Sequence, residues 1–102
     1  MLIVLTTVPN VEEGESLAQK IVAAKLAACV QVLPAMQSFY FWEGRVQKDT
    51  EHLLLIKTSD EMFEKLKGFI ENNHSYDVPE IVAVASEKVS EKYLKWLNAY
   101  LD

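Results

Sequence analysis

The sequence predicts an α+β domain in which a four-stranded antiparallel sheet carries two helices on one face. Its 102 residues are enough for one domain, since a chain of this length buries roughly two thirds of its unfolded surface. Half of the residues are hydrophobic, and only three are Gly and three Pro, which is typical of a compact domain without linkers. Short β-rich runs also alternate with longer segments of helical periodicity. We therefore expect residues 1–102 to form a single domain.

The chain opens with a strand followed by an amphipathic helix. The β-rich run from Leu2 to Val8 stops at Pro9. Asn10, followed three residues later by Glu13, predicts an N-cap with its return contact, and therefore a helix start. Apolar residues then recur at helical spacing, at Leu17, Ile21, Ala24 and Ala28.

Four consecutive aromatic residues, Phe39 to Trp42, distinguish the middle of the chain. Cys29 to Leu33 leads towards them as a strand, and Pro34 should bend it because proline cannot donate to a sheet ladder. Gly44 lies in a three-residue connection, where its positive φ suits a hairpin with a bulge. We interpret Ser38 to Lys48 as a β-hairpin arm. Such a ribbon is only marginally stable alone, so its aromatics should pack against another surface, such as a second subunit.

The second half of the chain begins with a buried strand and a second helix. His52 to Ile56 is apolar at nearly every position, which predicts a strand buried on both faces. Thr58 and Glu61 have the spacing of a capping box for the helix that follows. The apolar face of this helix is formed by Met62, Phe63, Leu66, Phe69 and Ile70.

After the loop from His74 to Glu80, a short strand and a third helix complete the chain. Ile81 to Ala85 is apolar throughout, and Ser90 can cap the final helix. This helix places apolar and aromatic residues at i, i+3, i+4 and i+7, namely Tyr93, Trp96, Leu97 and Tyr100.

The order of these elements predicts the ferredoxin-like fold. Two βαβ halves joined by a long hairpin arm make the split βαβ arrangement, and an extra C-terminal helix follows. A sheet covered by helices on one face should alternate apolar and polar residues, but Leu2 to Thr6, His52 to Ile56 and Ile81 to Ala85 do not. The third helix, about 18 Å long at a rise of 1.5 Å per residue, can cover only part of the second face. We therefore expect a homo-oligomer, the alternative being that the third helix and the loops cover the whole face.

Composition excludes several classes of partner. The net charge is −5 with acids and bases interspersed, so we expect no nucleic-acid partner. No apolar run approaches membrane-spanning length, so we expect no membrane partner. The chain has no basic leader and a single cysteine, Cys29, which cannot form an intrachain disulfide. These features favour a cytoplasmic protein.

Characteristic motifs follow one another along nearly the whole sequence. They are the first strand with Thr7 and Pro9, Lys25 to Pro34 (KLAACVQVLP), Phe39 to Arg45 (FYFWEGR), Leu54 to Thr58 (LLIKT), His74 to Glu80 (HSYDVPE) and Tyr93 to Leu97 (YLKWL). Together they resemble the CutA divalent-cation tolerance proteins. The resemblance implies a compact homotrimer whose hairpin arms link neighbouring subunits, with a role in tolerance to copper and other divalent metals. The fold is also similar to that of the trimeric PII signalling proteins, which bind small effectors between subunits.

The same resemblance implies a metal site. Copper prefers imidazole and soft sulfur ligands. In family members credited with copper binding, the ligands look like a cysteine on the first strand and two adjacent histidines. The first-strand position matches Thr6 in this sequence, and the histidine pair matches Asn73 and His74. His74 is therefore the candidate ligand for Cu²⁺ or another divalent cation, with Asp77 or a neighbouring subunit as a weaker contributor. No organic cofactor is expected.

An inter-subunit cleft is the competing site. The family motifs mark its residues as Tyr40, Trp42, Glu43, Lys57, His74, Tyr76 and Glu80. Lys57 ends one apolar run and Glu80 precedes another, so we expect the two to be partly desolvated and paired, either as a functional pair or as a structural ion pair. Because aromatic residues are enriched at the centres of interfaces, a second set of residues is interpreted as a trimer clasp. This set is Phe39, Phe41, Trp42 and Trp96.

No arrangement typical of an enzyme is present. The sequence has no nucleophile-elbow glycines, phosphate loop or paired-carboxylate motif, so no catalytic residue is assigned. Cys29 and His52 are interpreted as structural strand residues. The predicted function is divalent-metal binding or tolerance by a homotrimer. The alternatives are a regulatory trimer that binds a small ligand or a protein partner, with metal incidental, and a mainly structural trimer that presents other proteins.

Overall fold

The computed structural model describes residues 1–102. The strands are β1 (Leu2–Val8), β2 (Cys29–Val32), β3 (Met36–Trp42), β4 (Arg45–Thr58) and β5 (Val82–Ala85). The helices are α1 (Val11–Ala23), α2 (Phe63–Asn73) and α3 (Glu91–Leu101), and a short 3-10 turn, Asp60–Met62, precedes α2. None of the three helices is long and apolar enough to cross a membrane.

The strands form the predicted antiparallel sheet, in the order β2-β4-β1-β5. In its centre, Val4 of β1 lies opposite Ile56 of β4 on one side and opposite Ala83 of β5 on the other. The strand β3 lies off this path and pairs only with β4. The ferredoxin-like split βαβ arrangement predicted from the order of elements is therefore confirmed.

The main core lies between this sheet and the first two helices. Ile21 of α1 and Leu66 and Ile70 of α2 are fully buried against Leu54 and Ile56 of β4. The third helix builds a smaller core of its own, where Leu97 and Leu101 pack with Ala28, Met1 and Met62. Two helices thus share one face of the sheet, and α3 packs separately.

The other face of the sheet is incompletely covered. Side chains at alternate positions, Ile3 and Leu5 of β1, are only half-buried. In the neighbouring edge strand, Val82 and Val84 are each 49% exposed. Burial on both faces, which the unalternating strands predict, is therefore not achieved within one chain.

The hairpin arm is built from β3 and the first half of the 14-residue strand β4. Trp42 pairs directly with Arg45, so the connection contains only Glu43 and Gly44. Both residues have positive φ, 52° and 79°, as a two-residue type I′ turn requires. The predicted three-residue connection with a bulge is therefore wrong, because the second positive φ falls on Glu43 and lets the strands close one residue earlier.

A bulge does occur at the base of the arm, where Pro34 interrupts the strand as predicted. Val32 lies opposite Leu54 and Met36 opposite Glu51, so three residues face two across the break. His52, one of those two, donates from Nδ1 to the Leu33 carbonyl at 2.8 Å. The histidine is a structural strand residue with a satisfied hydrogen bond, as interpreted from the sequence.

The predicted helix starts differ in outcome. Asn10 accepts from the Glu13 N–H at 2.8 Å and Ser90 from the Tyr93 N–H at 3.4 Å, which confirms both N-caps. The Glu13 return contact is absent, because its carboxylate binds the loop before β5 instead. The prediction of a capping box at Thr58 is wrong. Thr58 is the buried last residue of β4, and its hydroxyl donates to the Leu26 carbonyl at 2.7 Å.

Candidate functional site

A cavity of about 650 Å³ lies at the base of the hairpin arm, between the arm, the end of β1 and the loop before β5. Aromatic side chains form part of its wall: Phe39, Tyr40, Trp42 and Tyr76. Carboxylates form another part: Asp49, Glu51, Asp77 and Glu80. No lysine, arginine or histidine lines it. The cavity is therefore both aromatic and strongly acidic.

Glu51 and Tyr76 form the most constrained contact in this cavity. Glu51 is the last arm residue of β4 before the bulge and is only 9% exposed. The Tyr76 hydroxyl donates to its Oε2 at 2.7 Å. Burial raises the pKa of Tyr76 well above its usual value, and the bond to Glu51 and the nearby negative charge raise it further. Tyr76 therefore remains a hydrogen-bond donor at any physiological pH.

A second tyrosine and carboxylate pair lies further out on the arm. The Tyr40 hydroxyl donates to the Asp49 carboxylate across the two strands. This hydrogen bond is the main reason why the pKa of Tyr40 is raised, with a smaller contribution from the charge of Asp49. Both tyrosine hydroxyls at the cavity therefore already donate to a carboxylate.

His74 anchors the loop that carries Tyr76. Its side chain is fully buried, and its Nε2–H donates to the Thr7 carbonyl at 2.7 Å. Its Nδ1 accepts from the Tyr76 backbone N–H at 3.0 Å, and the two rings lie 4.8 Å apart. Glu13 lies 3.7 Å from Nδ1 and accepts from both the N–H and the hydroxyl of Ser75. The ring therefore ties the loop to β1 and helps to hold Tyr76 over the cavity.

The residues of this chain do not fit a copper site by themselves. Both ring nitrogens of His74 are engaged in hydrogen bonds, so ligation would require one of those bonds to break. Asp77 lines the cavity, but His74 does not. Thr6 is fully buried in the core, and Asn73 donates to the Phe69 carbonyl. No three His, Cys, Asp or Glu side chains lie close enough together in the chain to hold a metal ion.

The residues predicted for the inter-subunit cleft divide into two groups. Tyr40, Trp42, Tyr76 and Glu80 line one cavity. His74 lies behind it, and Glu43 lies in the turn at the tip of the arm. Lys57 lies opposite Ile3, four residues along β4 from the cavity residue Leu53, and its ammonium donates to Gln31. Lys57 and Glu80 are therefore not paired within one chain, because about 13 Å of strand separates Lys57 from the cavity, and a pair between subunits stays a prediction.

Asp49 and Glu51 are cavity residues that sequence reasoning missed. From the sequence, no site role was assigned to the polar residues that precede His52. A period-2 pattern was available, since Asp49, Glu51 and Leu53 alternate along β4 and so point to one face. The predicted clasp residues Phe39 and Trp42 are 66% and 55% exposed, and their contact with a neighbouring subunit stays a prediction.

The fold and the cavity together define a small α+β domain with an acidic, aromatic cavity at the base of a hairpin arm. The family model of the CutA1 divalent ion tolerance protein matches residues 2–100 of this chain. The chain therefore belongs to the CutA1 family. Its relatives are named as tolerance proteins and not as enzymes.

Individual relatives agree with this assignment. The chloroplastic protein CutA of Arabidopsis thaliana is 50% identical over 97 residues, which cover 95% of this chain and 53% of the relative. The divalent-cation tolerance protein CutA of Thermus thermophilus is 44% identical over 96 residues, with 94% and 93% covered. The chain thus spans about half the length of the plant relatives it matches and nearly all of the bacterial one.

Solved structures share the whole fold. The crystal structure of CutA1 from Oryza sativa superposes with a TM-score of 0.96 at 44% identity, covering 99% of this chain and 93% of that one. The periplasmic divalent cation tolerance protein CutA from Archaeoglobus fulgidus gives a TM-score of 0.96 at 32% identity, with both chains fully covered.

These relatives also correct the expected location. The Arabidopsis relative is named as chloroplastic and the Archaeoglobus structure as periplasmic, so the inference of a cytoplasmic protein is wrong as a general statement. A single cysteine is compatible with several compartments, because a domain that folds without a disulfide needs no particular redox environment.

Proposed function

We propose that this chain is a homotrimeric binding protein in divalent-cation tolerance, and that its ligand site is the cavity at the base of the arm. The observation that carries the proposal is the combination of four aromatic and four acidic residues around one cavity of about 650 Å³. Small-molecule sites have this size and are lined by aromatic surface with a few polar groups that fix orientation. The Tyr76 to Glu51 bond supports the proposal, since it holds two of those groups in place.

The apolar surface that one chain leaves open supports the trimer. Val82 and Val84 on the sheet face are about half exposed, and the arm presents Phe39, Phe41 and Trp42 to solvent. Large exposed apolar residues on one chain are typical of interaction surfaces. A neighbouring subunit that covers the sheet face or the arm would bury them. The number of subunits rests on the resemblance to the CutA proteins.

Direct binding of a divalent metal is the second candidate. It is favoured by the family description and by the four carboxylates of the cavity. Carboxylate oxygens suit Mg²⁺, Ca²⁺ or Mn²⁺ better than copper, which prefers nitrogen and sulfur. No three of these carboxylates lie close enough together within one chain to hold a metal ion. A neighbouring subunit would therefore have to complete the coordination. Copper at His74 would require the ring to release Thr7 or Tyr76.

A thermal-shift screen with matched variants tests the proposal. A ligand at 100 times its dissociation constant adds about 2.7 kcal/mol to the free energy of unfolding. We expect at least one small metabolite to raise the melting temperature of the wild type and of Glu71→Gln, an exposed acid on α2, but not of Glu51→Gln. If no compound shifts the wild type, or if Glu51→Gln responds equally, the cavity is not the ligand site.

Titrations with copper and with Mn²⁺ test the second candidate, direct binding of a divalent metal. If metal binds at His74, His74→Ala should lose one equivalent of bound copper, and Glu51→Gln should not. If metal binds the carboxylates, Mn²⁺ binding should weaken in Glu51→Gln and stay unchanged in His74→Gln. Equal binding by all variants would remove both sites from the metal hypothesis.

A further inference from the structure

We infer that the cavity recognises an organic cation with several spaced ammonium groups, of the linear polyamine class. The inference rests on the proposed function, in which this cavity is the ligand site, and it adds the chemical class of the ligand. It is carried by the charge around the cavity, by one largely buried carboxylate that has no cationic partner in the chain and by the aromatic wall.

The unbalanced charge of the cavity is the first argument. Four carboxylates line it and no basic side chain does. The Tyr40 and Tyr76 hydroxyls, which could bind an anion, already donate to Asp49 and Glu51. An anionic ligand would therefore meet four like charges and few free donors, whereas ammonium groups supply only donors and positive charge.

Glu51 is the second argument. It is nine-tenths buried, and only one of its oxygens, Oε2, receives a hydrogen bond, from Tyr76. No cationic side chain of the chain lies within 4 Å of it. A buried carboxylate normally has a partner of opposite charge, because its removal from water is costly. An ammonium group entering the cavity would bind the free oxygen and supply the missing charge.

The spacing of the acids distinguishes an extended cation from a metal ion. The four carboxylates share one cavity, yet no three of them lie close enough to hold a single ion. A linear polyamine distributes its charge along a flexible chain, so separate ammonium groups can bind separate carboxylates. Its methylene segments would lie against the apolar part of the wall.

The aromatic wall is the third argument. Ammonium groups bind over the faces of tryptophan, tyrosine and phenylalanine within about 6 Å of the ring centre. The arm already contains one such contact between an ammonium group and an aromatic ring, since Lys48 Nζ lies 5.9 Å from the centre of the Phe39 ring. Tyr40 and Trp42 lie beside the carboxylates on the same arm and offer further rings to a ligand.

Fluorescence of Trp42 provides the test. The chain has two tryptophans, so Trp96→Phe leaves Trp42 as the only indole reporter. Spermidine is the probe, and an uncharged diol of similar length, succinate, Mg²⁺ and Cu²⁺ are the comparison compounds. We expect spermidine alone to change Trp42 emission saturably, with an affinity that falls as salt is raised. Calorimetry on the protein without Trp96→Phe should give the same affinity.

Charge-neutralising variants provide the controls. In Glu51→Gln the dissociation constant for spermidine should rise at least tenfold, and in Glu71→Gln, outside the cavity, it should not change. Asp77→Asn is the second variant if Glu51→Gln fails to fold, because Asp77 is exposed and makes no hydrogen bond within the chain. A threefold or larger rise is expected there.

The outcomes separate this inference from the proposed function. If succinate, the diol or a metal perturbs Trp42 and spermidine does not, the polyamine class is wrong but the cavity remains a ligand site. If spermidine binds all variants equally, its binding is unspecific and the inference is wrong. If none of these probes perturbs Trp42 and no compound of the metabolite screen shifts the melting temperature, the inference and the proposed function fail together.

Discussion

The Tyr76 hydroxyl donates a 2.7 Å hydrogen bond to the carboxylate of Glu51, and this bond joins the loop before β5 to the base of the hairpin arm. Because Glu51 is nine-tenths buried, the bond satisfies an acceptor that water reaches only in part. It therefore fixes the position of a carboxylate and of an aromatic ring at the same cavity.

Removal of this donor should destabilise the protein. Tyr76→Phe leaves the Glu51 carboxylate without its only donor, so we expect the free energy of unfolding to fall by about 1–3 kcal/mol. Urea denaturation measures this change. Tyr40→Phe is the matched control, since the hydroxyl of Tyr40 binds the exposed Asp49 and its loss should cost clearly less than the loss in Tyr76→Phe. Equal losses would show that burial of Glu51 is not what makes the bond important.

Alkaline pH should reduce the stability that this contact contributes. The pKa of Tyr76 is raised in the folded protein, so above the unfolded value of about 10 the unfolded chain releases a proton that the folded chain retains. Stability contributed by Tyr76 is therefore fully present below pH 10 and is lost as pH rises towards the folded pKa. The difference in melting temperature between wild type and Tyr76→Phe should shrink from pH 9 to pH 11. A difference that grows over this range would contradict the raised pKa.

His74 should act as a structural residue. His74→Ala removes two hydrogen bonds of a fully buried ring, and we expect a loss of about 2–4 kcal/mol in the free energy of unfolding. His52→Ala, which removes one bond from a half-buried ring, should cost about half as much. If His74→Ala is as stable as the wild type but binds less copper, the metal role is correct and the structural role is wrong.

Two buried threonines form a matched pair. Thr6 is fully buried and its hydroxyl has no hydrogen-bond partner, whereas that of Thr58, equally buried, donates to the Leu26 carbonyl. Thr6→Val should therefore stabilise the protein by about 1 kcal/mol, and Thr58→Val should destabilise it by about as much. Thermal denaturation of both variants measures the signs. A loss of stability in Thr6→Val would indicate that the hydroxyl has a partner.

The sequence predicted the elements well because their causes are local. Helical periodicity and the capping residues Asn10 and Ser90 determine the helix starts, and Pro34 determines the break between β2 and β3. The Thr58 box failed because the residue is the end of a strand, where packing against Leu26 uses its hydroxyl. The turn failed because nothing in the sequence distinguished a second positive φ at Glu43 from a bulge.

The site was less predictable because it depends on register. Tyr76 and Glu51 are 25 residues apart, and only the pairing of β3, β4 and β1 brings them together. In the same register, Lys57 lies outside the cavity. Both ring nitrogens of His74 are engaged in hydrogen bonds. Motif membership alone could not separate residues that line a cavity from residues that hold its wall.

The assembled state is the central claim, because the open sheet face and the arm aromatics need a partner. Trp42→Ala removes the exposed ring at the end of the arm, so we expect the assembly to dissociate at higher protein concentration than the wild type. Val11→Ala, which truncates an exposed residue on α1, should leave the assembly unchanged. A Trp42→Ala assembly that remains unchanged while ligand binding is lost would place this ring in the site and not in the clasp.

Sedimentation equilibrium of the purified wild-type chain at micromolar concentration tests this claim most directly. We expect a single species with three times the 11.6 kDa mass of the chain. A species with the mass of one chain at that concentration would contradict the trimer, and would mean that the open sheet face and the aromatic arm remain exposed to water.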